Sequence, residues 1–322
     1  VRLTLDALLA DVPAEQVEAA REFYASRTPG RGPGGPAELR RARAQRSAPG
    51  AADPPAVEET AGAGEVRVPV RVFTPAGGPP RGVHLDIHGG GFFMDSAARG
   101  DRRNRALADA LRLAVVSVDY RLAPEHPWPA APDDCEAAAL WLLDVARARF
   151  GTSRLSIGGD SAGATLALAT LLRLRDAGAV AHFAGAVLQF GTYDLSARTP
   201  AGRRIADEYF LQAYAGHAGD RTVPDVSPVY GALDGLPPTL LIVGSEDVLL
   251  EDNLAMAGRL SAAGNDVEIR VYPACPHGFT GHPTALAATA LRDARSWLRD
   301  RIDGRLPTPP PHPPRQGDTM ER

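Results

Sequence analysis

The sequence predicts an α/β fold with a mainly parallel central sheet flanked by helices. Three observations predict it. Short apolar runs of strand length alternate with stretches of helix length through most of the chain. Runs such as Leu240-Leu241-Ile242-Val243 are apolar throughout, which suits strands covered on both faces. Apolar residues make up 44% and charged residues 23% of the 322 residues, enough for a sizeable core.

Taken in order, residues 1–27 read as helix. Leu5, Leu8, Leu9 and Val12 keep helical spacing, and Val17, Ala20 and Tyr24 resume it after Pro13. Residues 28–55 are rich in Pro, Gly and Arg, including Arg40, Arg41, Arg43 and Arg46. With few large apolar groups to offset chain ordering, they read as a mobile linker with a solvated basic face. Strands are expected over 66–73, 82–87, 113–118, 155–157, 185–190, 239–243 and 267–272. Helices are expected over 97–111, 133–150, 161–176, 248–263 and 284–302. The last keeps Leu291, Ala294, Leu298 and Ile302 on one face. The proline-dense end, 303–322, reads as an extended, disordered tail.

Composition excludes several classes of function. A net charge of −4 gives no global attraction to nucleic acid or to an anionic membrane. All 35 basic residues are arginine, so Schiff-base, PLP and P-loop lysine chemistry is excluded. Cys135 and Cys275 are too few for a disulfide framework or a zinc cluster. No apolar stretch is long enough to span a bilayer. Arg2, Asp6 and Asp11 do not suit a signal peptide, so a cytoplasmic location is expected.

Four motifs carry chemistry. Gly159-Asp160-Ser161-Ala162-Gly163 follows an expected strand and opens an expected helix, the context a G-x-S-x-G nucleophile elbow needs. The bland alternative is a serine that merely caps a helix. His88-Gly89-Gly90-Gly91 also follows a strand, and glycines let a backbone approach a ligand closely. The N–H groups of Gly89 and Gly90, with that of Ala162, are the expected oxyanion hole. Each such donor is typically worth ~10²–10³ in rate. His88 reads as a brace for this loop. Asp247 follows strand 239–243 and is the preferred acid, with Glu246 its rival. His277 follows the last strand, with His282 its rival. The order Ser161, Asp247, His277 is the Ser…Asp…His order of a nucleophile-elbow hydrolase.

His88–Gly91, the run Asp119-Tyr120-Arg121-Leu122-Ala123-Pro124-Glu125-His126-Pro127, and Gly159–Gly163 together resemble the hormone-sensitive lipase-like family of α/β-hydrolase esterases. The resemblance spans roughly 66–302. It implies an α/β-hydrolase fold with a helical cap and a structural role for Asp119, Arg121 and Glu125. The expected organisation is N-terminal cap helices and linker (1–56), a catalytic domain (57–302) with a cap insertion about 195–230, and the tail (303–322). Three departures stand out, the first being a segment 28–55 unusually rich in Pro, Gly and Arg for a cap. Asp95 occupies a place where the family usually has Gly, and Leu188-Gln189-Phe190-Gly191-Thr192-Tyr193-Asp194 replaces a Tyr-Pro-containing segment.

The expected reaction is cleavage of carboxylic esters of short- to medium-chain acyl groups through an acyl-enzyme. No metal or organic cofactor is required, and the expected partner is a small-molecule ester, with neither nucleic acid nor membrane. Phe92, Phe93, Trp128 and Tyr193 are candidate pocket residues, with core packing as their alternative. An amide or N-acetyl hydrolase and a non-catalytic small-molecule receptor are the competing readings of the same fold. Cys275 reads as a buried structural thiol. A homodimer through the sheet edge, at strand 267–272, is the expected assembly.

Overall fold

Seven of the apolar runs become strands of one sheet, and an eighth strand joins them that the sequence reading does not contain. The structure, a computed structural model, describes residues 8–27, 32–46 and 50–305. The strands are β1 (Val57–Ala63), β2 (Val66–Phe73), β3 (Gly82–Ile87), β4 (Leu113–Val118), β5 (Leu155–Asp160), β6 (Phe183–Gln189), β7 (Thr239–Gly244) and β8 (Val267–Tyr272). Their spatial order is β1-β2-β4-β3-β5-β6-β7-β8. β2 pairs antiparallel with β1 and β4, and every other pair is parallel.

Every residue of β3, β4 and β7 is buried because helices cover both faces. The helices are α1 (Ala14–Ala25), α2 (Pro36–Gln45), α3 (Asp101–Leu111), α4 (Ala130–Phe150), α5 (Ala162–Asp176), α6 (Pro200–Arg203), α7 (Tyr209–Ala215), α8 (Leu250–Ala262) and α9 (Ala285–Asp303). Leu142 of α4, Leu168 of α5 and Met256 of α8 join the core on one face. Ala20 of α1, Leu111 of α3 and Leu298 of α9 join the core on the other. Thr284 caps α9, its hydroxyl accepting the Ala287 N–H, and Gly304 ends that helix at φ 70°. No helix among the described residues is long and apolar enough to cross a membrane.

Three expectations need correction. Residues 9–13 are not helical: Leu9 pairs in parallel with Val271 on the free edge of β8, and Ala10 N donates to Val271 O at 2.8 Å. An open sheet edge offers backbone partners that local helical spacing cannot match, and the helix starts only after Pro13. The same contact covers part of the edge at which a homodimer was expected; Leu5 lies outside the described residues. Residues 28–55 are not linker throughout. They contain α2, whose Leu39 is 2% exposed, although 28–31 and 47–49 lie outside the described residues. The basic run is only in part a solvated face, because Arg43 is bound to carbonyls of the body.

The unexpected β1 forms a hairpin with β2 around Gly64 at φ 57°. It is an edge strand with only Ala61 fully buried, so its Glu58, Glu59 and Gly62 blur any apolar pattern. The expected tail lies, from 306 onwards, outside the described residues.

Candidate active site

The carboxyl ends of β3, β5, β7 and β8 meet at one place, and each delivers one of the motifs. Ser161 sits between β5 and α5 at φ 53°, ψ −121°, a conformation sparsely populated by a residue with a side chain. The turn is held because Ser161 N donates to Gln189 O at 2.8 Å. The glycines on either side are sterically required. A Cβ on Gly163 would stand 2.0 Å from Ile87 O, and one on Gly159 would stand 2.5 Å from both Gly163 O and Ile87 O. Those contacts seat the elbow against the end of β3, beside His88–Gly91.

That glycine loop is braced from below. The Tyr120 hydroxyl donates to His88 O at 2.9 Å and also approaches Gly89 O at 3.2 Å, and its ring stacks on His88 at 4.1 Å between centroids. His88 Nδ1 donates to Gly89 O at 2.7 Å. Burial holds the His88 imidazole below its ordinary pKa, so it is a neutral brace. Gly90 takes φ 107°, and a Cβ there would meet Met94 O at 2.2 Å. Among the described residues no hydrogen bond takes the N–H of Gly89, Gly90 or Ala162. Ala162 is in the first turn of α5, where an N–H has no intrahelical acceptor. These three donors remain available to an oxyanion.

Ser161 Oγ lies 2.9 Å from His277 Nε2, and His277 Nδ1 lies 3.1 Å from both Asp247 Oδ1 and Oδ2. An ionised carboxylate only accepts, so Nδ1 carries the ring proton and Nε2 is left to accept from the serine hydroxyl. The Asp247 side chain is fully buried and also accepts the Leu249 N–H at 2.8 Å. Such a chain can deprotonate a serine and stabilise the imidazolium that results. The rival residues lie elsewhere. Glu246 is exposed. His282 packs beside Phe23 and Tyr24 of α1, at 5.8 and 5.4 Å. Gly244 approaches the loop after β8 so closely that a Cβ would meet Cys275 O at 1.9 Å. The Cys275 thiol beside it is buried, which pushes its pKa up to about 12 and leaves it inert.

A cleft of about 390 Å³ opens beside the glycine loop, bounded among others by Gly89, Asp160, Phe190 and Gly278. Neither Ser161, His277 nor any of the four expected pocket residues lines it. Tyr193 is 0% exposed, with its backbone N–H on Asp252, and Phe92 is 0% exposed, stacked on Tyr214 of α7 at 4.0 Å. Phe93 packs beside Tyr209 and Phe210, and Trp128 donates to Asp225. As placed, these aromatics hold the segment between β6 and β7 onto the body.

Sequence reasoning missed three contributors. Phe190 meets the His277 ring edge-on at 5.2 Å. Arg43 donates to Phe93 O, Ala123 O and Glu125, tying α2 to the loop after Gly91. Arg103 bridges Asp86 and Asp160. With 35 arginines and 39 acidic residues in the sequence, no spacing rule singles these two arginines out. Asp119, Arg121 and Glu125 each find a partner within the fold: Asp119 accepts the Ala97 N–H, Arg121 grips Asp134, and Glu125 accepts from Arg43.

The model of the family with the α/β-hydrolase fold matches residues 84–281. Carboxylic ester hydrolase LipN of Mycobacterium tuberculosis is 33% identical over 233 residues, covering 67% of this chain and 61% of that protein. The acetyl-hydrolase of Streptomyces hygroscopicus is 32% identical over 231 residues, covering 67% of this chain and 74% of that protein. Among solved structures, a hormone-sensitive lipase from a metagenome library superposes with a TM-score of 0.71 at 29% identity, covering 91% of this chain and 99% of that one. The match thus spans less than two thirds of LipN. With the elbow, the glycine loop and the strand order already in place, the chain belongs to the α/β-hydrolase fold family, in the branch that resembles hormone-sensitive lipase.

Proposed function

We propose that this chain is a serine hydrolase that cleaves carboxylic esters of short- to medium-chain acyl groups through an acyl-enzyme. The observation that carries the reading is the continuous hydrogen-bond chain from Ser161 through His277 to Asp247. In this reading Ser161 Oγ attacks the ester carbonyl while His277 takes its proton. Asp247 holds the imidazole and stabilises its charged form. The N–H groups of Gly89, Gly90 and Ala162 hold the tetrahedral oxyanion. His277 then protonates the departing alcohol, and water repeats the cycle on the acyl-enzyme.

Ser161→Ala should abolish turnover of p-nitrophenyl acetate and butyrate while the far-UV spectrum and melting temperature stay close to those of the parent. Undiminished turnover in that variant would sink the assignment. The relative named acetyl-hydrolase points to removal of an acetyl group, and an amide rather than an ester as its carrier is the second reading. Rates on a matched acetyl ester and acetyl amide separate the two. Free, buried Cys135 and Cys275 suit a reducing compartment, so a cytoplasmic location is part of the proposal. So is a homodimer across the part of β8 that Leu9 leaves open; sedimentation of the purified chain tests it.

A further inference from the structure

Asp160 stands immediately before Ser161, and its carboxylate abuts the glycine loop. A Cβ on Gly89 would lie 2.5 Å from Asp160 Oδ2. A formal negative charge therefore sits against the backbone whose N–H groups would receive a developing negative charge. Within a low-dielectric site such a neighbour opposes the oxyanion.

Arg103 answers that charge. Its Nη1 donates to Asp160 Oδ1 at 2.8 Å and its Nη2 to Asp86 Oδ1 at 2.9 Å. Asp86 is 5% exposed and is held in place by Asn104 Nδ2 at 2.7 Å and Ser117 Oγ at 2.8 Å. Asp86 lies in β3, just ahead of the His88–Gly91 loop, and Asp160 ends β5, just ahead of Ser161 and Ala162. One guanidinium thus bridges the two strand ends that carry the two halves of the oxyanion site. The two carboxylates hold the Arg103 pKa well above its ordinary value, so the charge is permanent.

We propose that Arg103 is a positioning residue for the oxyanion site: it neutralises Asp160 against Gly89 and fixes the distance between the glycine loop and the elbow. The inference rests on the reading of Ser161 as nucleophile. Arg103→Met should lower kcat on p-nitrophenyl acetate by about tenfold or more, with KM within about twofold, because the lost interaction matters only once charge develops. Affinity for phenylboronic acid, which forms an anionic tetrahedral adduct on serine, should fall by a similar factor.

The deciding variant is Arg103→Met with Asp160→Asn, in which the uncompensated carboxylate is gone. It should recover a large part of kcat and of boronate affinity, and Arg103→Lys should lie between parent and Arg103→Met. A purely structural clip predicts the reverse, a double variant no better than the single one. That result, or a parental kcat in Arg103→Met, overturns the inference. Should Arg103→Met fail to fold, the double variant and Arg103→Lys carry the same comparison. Failure of the underlying reading is separate and visible: the parent's turnover would then survive Ser161→Ala.

Discussion

At the elbow the chain touches itself backbone to backbone, whereas α2 and α7, beside the loop after Gly91, are held largely by side chains. Gly163 admits no Cβ because Ile87 O would stand 2.0 Å away, and Ser161 is pinned at φ 53°. Beside that loop, α2 is tied by Arg43, and α7 by the stack of Tyr214 against Phe92 and by Tyr214 O accepting the Trp128 N–H. Backbone contacts leave no room for adjustment, because no rotamer can relieve them. Side-chain contacts can be exchanged for others of similar size. The elbow should thus decide whether the chemistry runs, and α2 and α7 should decide how well a substrate is received. Non-glycine residues with positive φ concentrate at the first region: Phe92, Asp95, Ser161, Phe190 and Ala274 all lie near the carboxyl edge of the sheet. Backbone strain of this kind is stored where the surrounding structure over-determines it.

The sharpest break of this comparison is at the buried acid. Asp247→Asn keeps the shape but presents the wrong donor to His277 Nδ1, and should lower kcat by roughly 10³–10⁴. Steady-state kinetics on p-nitrophenyl acetate would measure it. Exposed Glu246→Gln should stay within about twofold, since surface substitutions away from special contacts change little. Equal losses in the two variants would contradict the assignment of the acid.

A change at α2 should look different. Arg43→Met removes the donors to Phe93 O, Ala123 O and Glu125 while keeping a long apolar stem. The ion pair itself is largely exposed and worth little; the two carbonyl bonds matter more. The expected outcome is a KM raised several-fold on a butyrate ester and kcat within about twofold. The melting temperature should drop by about 2–4 °C for each kcal/mol lost in a domain of this size. A collapse of kcat instead would show that α2 also sets the elbow.

The smallest effect concerns stability alone. Burial raises the pKa of Asp252 from 3.8 to about 7, against the N–H groups of Tyr193 and Asp194 that favour its charged form. The folded state thus keeps a proton that the unfolded chain gives up near pH 4. The stability linked to it is fully present below that pH and is lost as pH rises through about 7. Asp252→Asn can still accept the two N–H groups and has no charge to bury. Its urea-unfolding midpoint, relative to the parent, should therefore be higher at pH 8 than at pH 5. A difference independent of pH would mean that Asp252 does not titrate in this range.

How much of this was legible depends on how far apart the interacting residues lie. The elbow was readable because its strand, its two glycines and its helix are consecutive, and the backbone approach that demands glycine is written where it acts. The strands of the inner sheet were readable for a related reason: burial on both faces leaves an unbroken apolar run. β1 was not, since an edge strand buries one residue and tolerates Glu58 and Glu59. Residues 9–13 were misread because the partner of Leu9 is Val271, near the other end of the sequence. Residues 36–45 were read as linker because their stability comes from Leu39 and Arg43 reaching the body, not from local propensity.

By itself the sequence determined the strand–helix alternation, the two glycine-bearing turns, and the chain order of a serine, an acid and a histidine. Each rests on residues that are neighbours in the chain, where sterics and hydrophobic burial act locally. Only the tertiary structure brings Asp247 rather than Glu246 beside His277, and His277 rather than His282 beside Ser161. It also showed Phe92 and Tyr193 fully buried, and Arg103 between Asp86 and Asp160. Those choices depend on contacts such as Ser161 with His277, between residues brought together only by the sheet. Which arginine meets which carboxylate is a matter of distance and burial, and neither is encoded in spacing along the chain.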